Sequence, residues 1–497
     1  MKDNKMKVKF NIICTILLHI VTFASGLILP RLLIQKYGSD VNGLVSSISQ
    51  FLGFITLGEM GIGAVIQYNL YYPLSIKDWK KVSEIITSAK RFFNRLLLGI
   101  FIYVFILCII FSIKMKNNFD LYFIISLIIC LSLNSFVQYY LGMAYRQLLD
   151  AELLSYIRLL PQITAIIINI IVCRFLILNN YSIQTVKLCT SILYMLQPFV
   201  IYIYIKIYFP QVKTVKLNSE PIQQKWNGLA QHIAGVVMKD TDIVVLTFFS
   251  TLDNISIYSI YYMIIYGIET IFESVITNFT SVFGKMFASK NKKNEITQVF
   301  TIMEILVHMT VTTLFLCTGN LIVPFIRIYT KDICDINYIV PEFAVLLVIA
   351  HAFYCIRLPY HIMIKAVGHY KQTQKAAIIE SVINILVSVI VVHKLGLIGV
   401  AIGTLLAMIY KNIYYYIYLH NNILNYSYLK CIKVFLCDII VILISQILLN
   451  NLKLESINYI SWTILAIKET VIILIVTIFI FGIFNFKLFK KYLKGVL

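Results

Sequence analysis

Apolar runs long enough to cross a lipid bilayer follow one another along almost the whole of this sequence. A hydrocarbon core of about 30 Å requires about 20 apolar residues in helical conformation. The runs are continuous and do not alternate with polar residues, which favours helices over a β-barrel. With 60% hydrophobic and 13% charged residues, the sequence predicts an all-α polytopic membrane protein and excludes a soluble globular one.

Hydropathy and helix-breaking residues predict about 14 transmembrane helices. The predicted spans are 10–36, 43–70, 91–113, 119–145, 153–178, 184–208, 224–250, 255–281, 300–328, 338–364, 373–394, 397–419, 430–449 and 458–484. A polar connector with Pro210 and Pro221 divides them into six and eight. The predicted domains are an N-lobe at 1–213, a C-lobe at 214–428, and an extra helix pair with a basic tail at 429–497.

The basic residues predict the orientation of the chain in the membrane. About 30 of the 43 Lys and Arg residues fall on the side that holds the N-terminus, which predicts that both termini are cytoplasmic. They lie in short connectors, so the net charge of +20 does not indicate a nucleic-acid partner. Around residues 76–90, Trp79, Val82 and Ile86 alternate with Lys80 and Lys81 at helical spacing. This pattern predicts an interfacial helix that binds anionic membrane lipids, a solvated linker being the alternative.

Neither a cofactor nor a catalytic centre is predicted. The ten cysteines are scattered singly through the spans, so no disulfide framework and no metal site is indicated. No connector carries a nucleotide loop or a nucleophile motif. Residues 1–9 are basic, but a full-length span follows them, which predicts a first helix and not a cleaved signal. A transporter is therefore predicted, and not an enzyme.

An internal repeat relates the first and seventh spans. His19 and His232 are 213 positions apart, and Arg146 and Lys365 match in a second register of 219. A duplication of six spans would insert both copies in the same orientation, as parallel repeats about an axis along the membrane normal. Two six-helix lobes are therefore predicted, with a chance alignment as the alternative.

The seventh span carries ionisable residues at His232, Lys239, Asp240 and Asp242. A charge near the bilayer centre costs at least about 2.5 kcal/mol and normally faces a bundle interior or a watery cavity. His232 and Lys239 lie seven residues apart on one helical face. Asp242 lies three residues beyond Lys239 and can pair with it. His19 occupies the matching face of the first span, which predicts that both histidines line a cavity, with a hydrogen-bonded core residue as the alternative for each.

The tenth span adds a basic stripe at Arg357, His361 and Lys365, and Pro359 is expected to bend it. Snorkelling to the headgroups is the alternative for Lys365. Cations near mid-depth favour an anionic ligand, most simply a phosphate or pyrophosphate, because Arg and Lys are its preferred partners. The predicted pyrophosphate and glycan cavity contains Lys239, Arg357, His232, His19 and Lys365.

Several carboxylates also lie inside predicted spans. Some are expected to neutralise the bases, but a carboxylate in a dry site can also bind a proton or sodium ion. The buried acidic and polar positions are Glu59, Glu269, Glu273, Glu304 with His308, and Glu380 with Asn384. The candidates for ion coupling are Glu59, Asp242 and Glu273.

Three stretches carry a resemblance to a known family. They are LPRLLIQKYGSDVNGLVSSISQF from Leu29, FITLGEMGIGAVIQY from Phe54 and NILVSVIVVHKLGLIGVAIGTLLAMIY from Asn384. Together they resemble the polysaccharide flippases of the Wzx type, in the superfamily that also contains the MATE multidrug exporters and the lipid II flippase MurJ. The chain departs from MurJ in lacking its arginine cluster in the first span, whereas the extra pair of spans after residue 429 resembles MurJ.

The resemblance implies two six-helix lobes in a V around a cavity, and transport by alternating access. It implies that a polyprenyl-pyrophosphate-linked oligosaccharide is carried from the cytoplasmic to the outer face of a bacterial plasma membrane, with Lys239 and Arg357 holding the pyrophosphate. A polysaccharide polymerase and glycosyltransferases of the same pathway are the expected protein partners. The alternatives are a MATE-like ion-coupled exporter of organic cations, a lipid II flippase and a membrane polysaccharide polymerase.

Overall fold

The computed structural model describes residues 2–58, 62–217, 241–288, 293–424 and 427–496. Within these residues the regular structure is helical throughout, and no β-strand occurs. Twelve helices in this part of the chain are long and apolar enough to cross a membrane. The prediction of an all-α, multi-pass membrane protein is confirmed, and the predicted count of about 14 spans is approximate.

The chain folds as two compact units, Met1–Phe248 and Phe249–Leu497. The predicted lobe boundary at residue 213 stays a prediction. In the first unit the helices are α1 Lys2–Tyr37, α2 Ser39–Gly53, α3 Ile62–Ser75, α4 Trp79–Lys114, α5 Leu121–Val137, α6 Met143–Ala151, α7 Tyr156–Leu178, α8 Ile183–Tyr194 and α9 Leu196–Tyr208. Residues 241–249 are also helical and are numbered α10.

The predicted span 43–70 is not one continuous helix. α2 ends at Gly53, a 3-10 turn covers Phe54–Gly58, and α3 begins at Ile62. Glycine is a poor helix former because it loses the most backbone freedom on folding. The hydroxyl of Thr56 donates to the carbonyl of Gly53 at 2.7 Å and stabilises the turn.

The segment predicted to lie on the membrane surface is instead the first part of α4. Asp78 caps this helix by accepting a hydrogen bond from the Lys81 amide at 3.0 Å. Val82 and Ile86 are buried. The connector that follows α9 also lies against this part of α4, where the amide of Lys213 donates to Ser83 Oγ at 3.1 Å. The prediction of a lipid-bound face is therefore wrong, because the apolar side chains of this face are buried within the protein.

The helices of the second unit follow in chain order. They are α11 Leu252–Ile276, α12 Phe279–Ala288, α13 Lys293–Tyr329, α14 Pro341–Ile356, α15 Leu358–Ala366, α16 Tyr370–Leu395, α17 Leu397–Asn422, α18 Tyr428–Leu449 and α19 Tyr459–Val496. The most apolar windows of α13 and of the α14–α15 span are 61% and 72% buried, against 33% for α18. α13, α14 and α15 therefore form the interior of this unit.

Three glycines allow α16 and α17 to form a closely packed hairpin. Gly396 forms the turn with a φ of +51°, a conformation that favours glycine. Gly399 and Gly403 are four residues apart, the spacing of close helix–helix contacts in membranes. A Cβ at Gly403 would lie 2.2 Å from Ser388 Oγ and 2.9 Å from the Asn384 carbonyl oxygen. The short turn and glycine pattern quoted above thus bring these helices into contact.

The last helix pair is packed into the second unit. Val434, Cys437 and Val441 of α18 and Phe481 of α19 form one buried cluster with Ile305 of α13. A second buried cluster joins both helices to the other end of α13. The pair therefore shares its core with α13.

Candidate anion-binding site

Arg357 lies at the break between α14 and α15. Pro359 has no N–H, so it cannot donate the helical hydrogen bond to the carbonyl of Cys355. The amide of Arg357 donates to the Phe353 carbonyl at 3.2 Å, and its own carbonyl accepts from the His361 amide at 3.1 Å. The bend predicted from Pro359 is confirmed at Arg357.

The Arg357 side chain is buried and shares a carboxylate with a lysine. Its guanidinium Nη1 contacts Oε1 of Glu380 on α16. Nζ of Lys411 on α17 lies 2.5 Å from the other oxygen, Oε2. The three residues are 8%, 3% and 4% exposed, respectively. Buried charges require partners because desolvation of an ion is expensive.

Aromatic rings surround the two cations of this Arg357–Glu380–Lys411 triad. The guanidinium lies 4.6 Å from the centre of the Tyr354 ring, and Lys411 Nζ lies 4.9 Å from that of Tyr415. Cations are attracted to the faces of aromatic rings. The rings therefore supply part of the stabilisation that water would give at the surface.

The triad carries an excess positive charge. Two cations share one carboxylate, so its net charge is +1 when all three groups are ionised. Arginine and lysine are also the side chains that proteins use most to hold phosphate oxygens. The triad is therefore a candidate site for an anionic ligand.

Three polar side chains spaced four residues apart on α16 face α17. The contacts run from Glu380 Oε2 to Lys411 Nζ (2.5 Å), from Asn384 Nδ2 to Thr404 Oγ1 (3.0 Å), and from Ser388 Oγ to the Val400 carbonyl (3.4 Å). Residues i and i+4 share a helical face. This register fixes Glu380 opposite Lys411.

A second carboxylate in this unit pairs with a histidine that the sequence reasoning missed. Glu269 of α11 contacts Nδ1 of His351 of α14. Both residues are buried, and the Tyr262 ring packs 5.6 Å from the imidazole. Glu269 therefore has a buried histidine as its partner.

The other predicted site residues fall in different places. His232, Lys239 and Glu59 lie outside the described residues. His19 is half-buried on α1 and Asp242 is buried on α10, both in the first unit. In the second unit Lys365 and Glu273 are half-buried, on α15 and α11. Their predicted roles in binding and ion coupling stay predictions, and of the substrate-binding set the structure brings Arg357 together with Glu380 and Lys411.

Sequence reasoning missed Lys411 as the partner of Glu380 and Asp438 as the partner of His308. Lys411 lies in the run MIYKNIYYY, near enough to the end of a span to resemble a snorkelling lysine. The available signal was the polar spacing of Glu380, Asn384 and Ser388, which requires donors on the facing helix.

No family model and no curated protein sequence matches the chain. Among solved structures it is similar to the lipid II flippase MurJ in an inward closed conformation, with 18% identity and a TM-score of 0.71 over 95% of this chain and 100% of that one. This chain has the fold of the MurJ flippase.

The MATE transporters share this fold. An inward-facing multidrug resistance MATE family transporter of the MOP superfamily is similar at 14% identity and a TM-score of 0.61, over 80% of this chain and 94% of the transporter. A eukaryotic MATE transporter is similar at 14% identity and a TM-score of 0.50, over 84% and 96%. These similarities confirm the fold that the resemblance implied. The assignment to the Wzx type stays a prediction.

Proposed function

We propose that this protein is a flippase. It carries a polyprenyl-pyrophosphate-linked oligosaccharide from the cytoplasmic to the outer face of a bacterial plasma membrane, by alternating access, for surface polysaccharide synthesis. Both termini are cytoplasmic in this proposal. The observation that supports it is the excess buried cation of Arg357, Glu380 and Lys411.

The chemistry of the triad favours a diphosphate over a cationic cargo. Guanidinium binds phosphate oxygens in pairs, and ammonium binds them as a point charge. Without substrate, Glu380 keeps both cations partnered. A diphosphate offers several oxygens and more than one negative charge, and so it competes with one carboxylate for Arg357 and Lys411.

The proposal also keeps the other residues predicted from the sequence. Lys239, His232, His19 and Lys365 hold the pyrophosphate and the first sugars. Glu59, Asp242 and Glu273 are the candidate ion-coupling residues, because ionisable groups inside a membrane protein mark ion pathways. The proposed protein partners, in the same pathway, are a polysaccharide polymerase and glycosyltransferases.

Specific observations favour two alternatives. The buried carboxylates Glu269 and Glu304 are compatible with a MATE-like ion-coupled exporter, since carboxylates bind organic cations. The shared fold with MurJ favours a lipid II flippase. Efflux of a cationic dye by the purified protein supports the first alternative, and preference for lipid II over other polyprenyl diphosphates supports the second.

The test uses the full-length protein in proteoliposomes with a fluorescent polyprenyl-diphosphate-linked oligosaccharide. A membrane-impermeant quencher reports how much labelled headgroup reaches the outer leaflet. We expect flipping by the wild type and its loss in the double variant Lys239→Ala with Arg357→Ala. Lys468→Ala is the control, because this side chain is 51% exposed on α19. Undiminished flipping by the double variant would show that the cationic mechanism is wrong.

A further inference from the structure

A buried histidine–carboxylate pair joins α13 to the last helix pair. Nδ1 of His308 lies 2.6 Å from Oδ2 of Asp438 on α18. The hydroxyl of Thr312 donates to the other oxygen, Oδ1, at 2.6 Å. The His308 side chain is fully buried. Both carboxylate oxygens of Asp438 are thus held by α13.

A second carboxylate lies one helical turn away on the same side of α13. Glu304 is four residues before His308 and is fully buried. Its Oε1 accepts a hydrogen bond from the Tyr360 hydroxyl at 2.5 Å. Tyr360 belongs to α15, which begins directly after Arg357. The network therefore reaches from α18 through α13 to the helix that follows the triad.

The three residues Glu304, Asp438 and His308 comprise two acids and one base. Glu304 and Asp438 carry two negative charges when ionised, and His308 supplies at most one positive charge. In the described part of the chain, the titratable groups near them include Tyr360 and Tyr416, and Cys431, Lys433 and Cys437 of α18. On α19, Thr477 accepts a hydrogen bond from the Thr313 hydroxyl of α13 at 3.2 Å and has no charge. Lys433 is exposed, and its Nζ donates to the Phe484 carbonyl.

The His308 imidazole offers a place for one more proton. Its Nε2 is buried and has no hydrogen-bond partner among the residues that the structure describes. With Nδ1–H donating to Asp438, Nε2 carries a lone pair. A proton from water that forms an N–H bond there raises the charge of the network by one and reduces its acidic excess.

A metal ion fits this network less well than a proton. Both oxygens of Asp438 already accept hydrogen bonds at 2.6 Å. In the described part of the chain, no group of three or more His, Cys, Asp and Glu side chains is placed to hold a metal. An imidazole that faces a carboxylate is a typical proton carrier near neutral pH.

We propose that His308, Asp438 and Glu304 form a proton-binding site that couples the last helix pair to α15. Proton binding at His308 weakens the electrostatic repulsion between the two carboxylates. It thereby changes the strength of the hydrogen bond that Glu304 accepts from Tyr360. Because α15 begins at the triad, the protonation state is transmitted to Arg357. The coupling to transport rests on the proposed flippase function, whereas the proton binding itself does not.

The first experiment measures proton binding without transport. Infrared difference spectra of the purified full chain, recorded while pH is changed, report protonation of carboxyl and imidazole groups. We expect His308→Gln to remove one imidazole signal and shift a carboxyl band, and Thr312→Val to shift that band with less disturbance of the fold. The control is Ser445→Ala, at a fully buried position on α18, the helix that carries Asp438. This variant should leave the spectra unchanged. Identical spectra for the wild type, His308→Gln and Thr312→Val would overturn the proposal.

The second experiment measures coupling in proteoliposomes that contain the labelled polyprenyl diphosphate. A pH gradient is imposed at zero membrane potential, with sodium replaced by potassium in a parallel sample. We expect the gradient to accelerate flipping about fivefold or more in the wild type, and His308→Gln to flip at the unstimulated rate. An equal response in His308→Gln, or stimulation that requires sodium, would overturn the coupling.

The two experiments separate failure of the two proposals. If the wild type flips no polyprenyl diphosphate under any gradient, the flippase function fails, and the infrared titration still decides whether the proton site exists. If flipping occurs and the spectra lack the His308 signal, the proton site is wrong and the flippase function stands.

Discussion

Lys411 and Glu380 lie on facing helices with 2.5 Å between Nζ and Oε2, in the interior of the second unit. The same carboxylate also partners Arg357. A neutral pair would be cheaper to bury than three charges, because each additional ion must be desolvated. The second cation is therefore the feature of this site on which the proposed anionic ligand rests.

Lys411→Met should weaken anion binding and leave the fold intact. The change removes the excess charge and retains the Arg357–Glu380 pair, and methionine replaces much of the apolar stem. Loss of a charge-assisted hydrogen bond of about 1.5–3 kcal/mol corresponds to about 10- to 100-fold in affinity. Titration of the purified protein with inorganic pyrophosphate measures this. Lys468→Met is the control, since Lys468 forms an exposed pair with Glu455 at 3.9 Å. Equal affinities in wild type and Lys411→Met would contradict the assignment.

Glu380→Gln should destabilise the protein in a way that an anion reverses. Removal of one partner of a buried ion pair typically costs about 3–5 kcal/mol, because the remaining charge is left unpaired. Here two cations lose their partner. Thermal unfolding in detergent should show a lower midpoint, and pyrophosphate should raise it more in the variant than in the wild type. A variant that is destabilised but indifferent to pyrophosphate would show that the triad is structural only.

Gly403→Ala should loosen the α16–α17 hairpin and with it the register of Glu380 and Lys411. The added Cβ would meet the backbone of α16 at 2.9 Å as well as Ser388 Oγ at 2.2 Å. Overpacking of this kind typically costs about 1–3 kcal/mol. The matched control is Gly482→Ala on α19, where nothing lies within 4 Å of the added atom. Similar unfolding midpoints for the two variants would show that close packing at Gly403 is not required.

Asn11→Ala tests the packing of the first unit. The Asn11 amide donates to the Leu153 carbonyl at 3.0 Å and accepts from the Tyr156 backbone at 2.8 Å. Leu153 has a φ of +59°, so this turn is held in a conformation that leucine disfavours. We expect a loss of about 1–3 kcal/mol in unfolding free energy. Asn179→Ala should cost less, because the Asn179 amide donates to the Phe175 carbonyl of its own helix at 2.8 Å. An equal loss would contradict this role.

Hydropathy was sufficient to predict the helical membrane fold, because span length is fixed by bilayer thickness. It also placed the α16–α17 turn, since the residues around Gly396 form a short break between two long apolar runs. It did not predict the break between Gly53 and Ile62, where the mean hydropathy stays high while local helix propensity is low. It misread the start of α4, because burial of Val82 depends on tertiary packing that hydropathy does not report.

For the candidate site, the sequence identified individual charges more readily than their partners. Arg357 and Glu380 were both recognised as intramembrane charges, and Pro359 predicted the bend that positions Arg357. The pairings of Glu380 with Lys411 and of His308 with Asp438 depend on helix contacts between spans. Periodicity shows which face of a helix is polar, but not which helix that face meets.

The most direct test of the proposed function compares two labelled lipids in proteoliposomes of the full-length protein. Both carry the same polyprenyl chain and oligosaccharide, one through a diphosphate and one through a neutral linkage. The proposed function predicts that the wild type flips the diphosphate lipid, that it flips the neutral lipid at least about tenfold more slowly, and that Arg357→Gln with Lys411→Met removes this preference. Equal flipping of both lipids by the wild type, or an unchanged preference in the double variant, would contradict it.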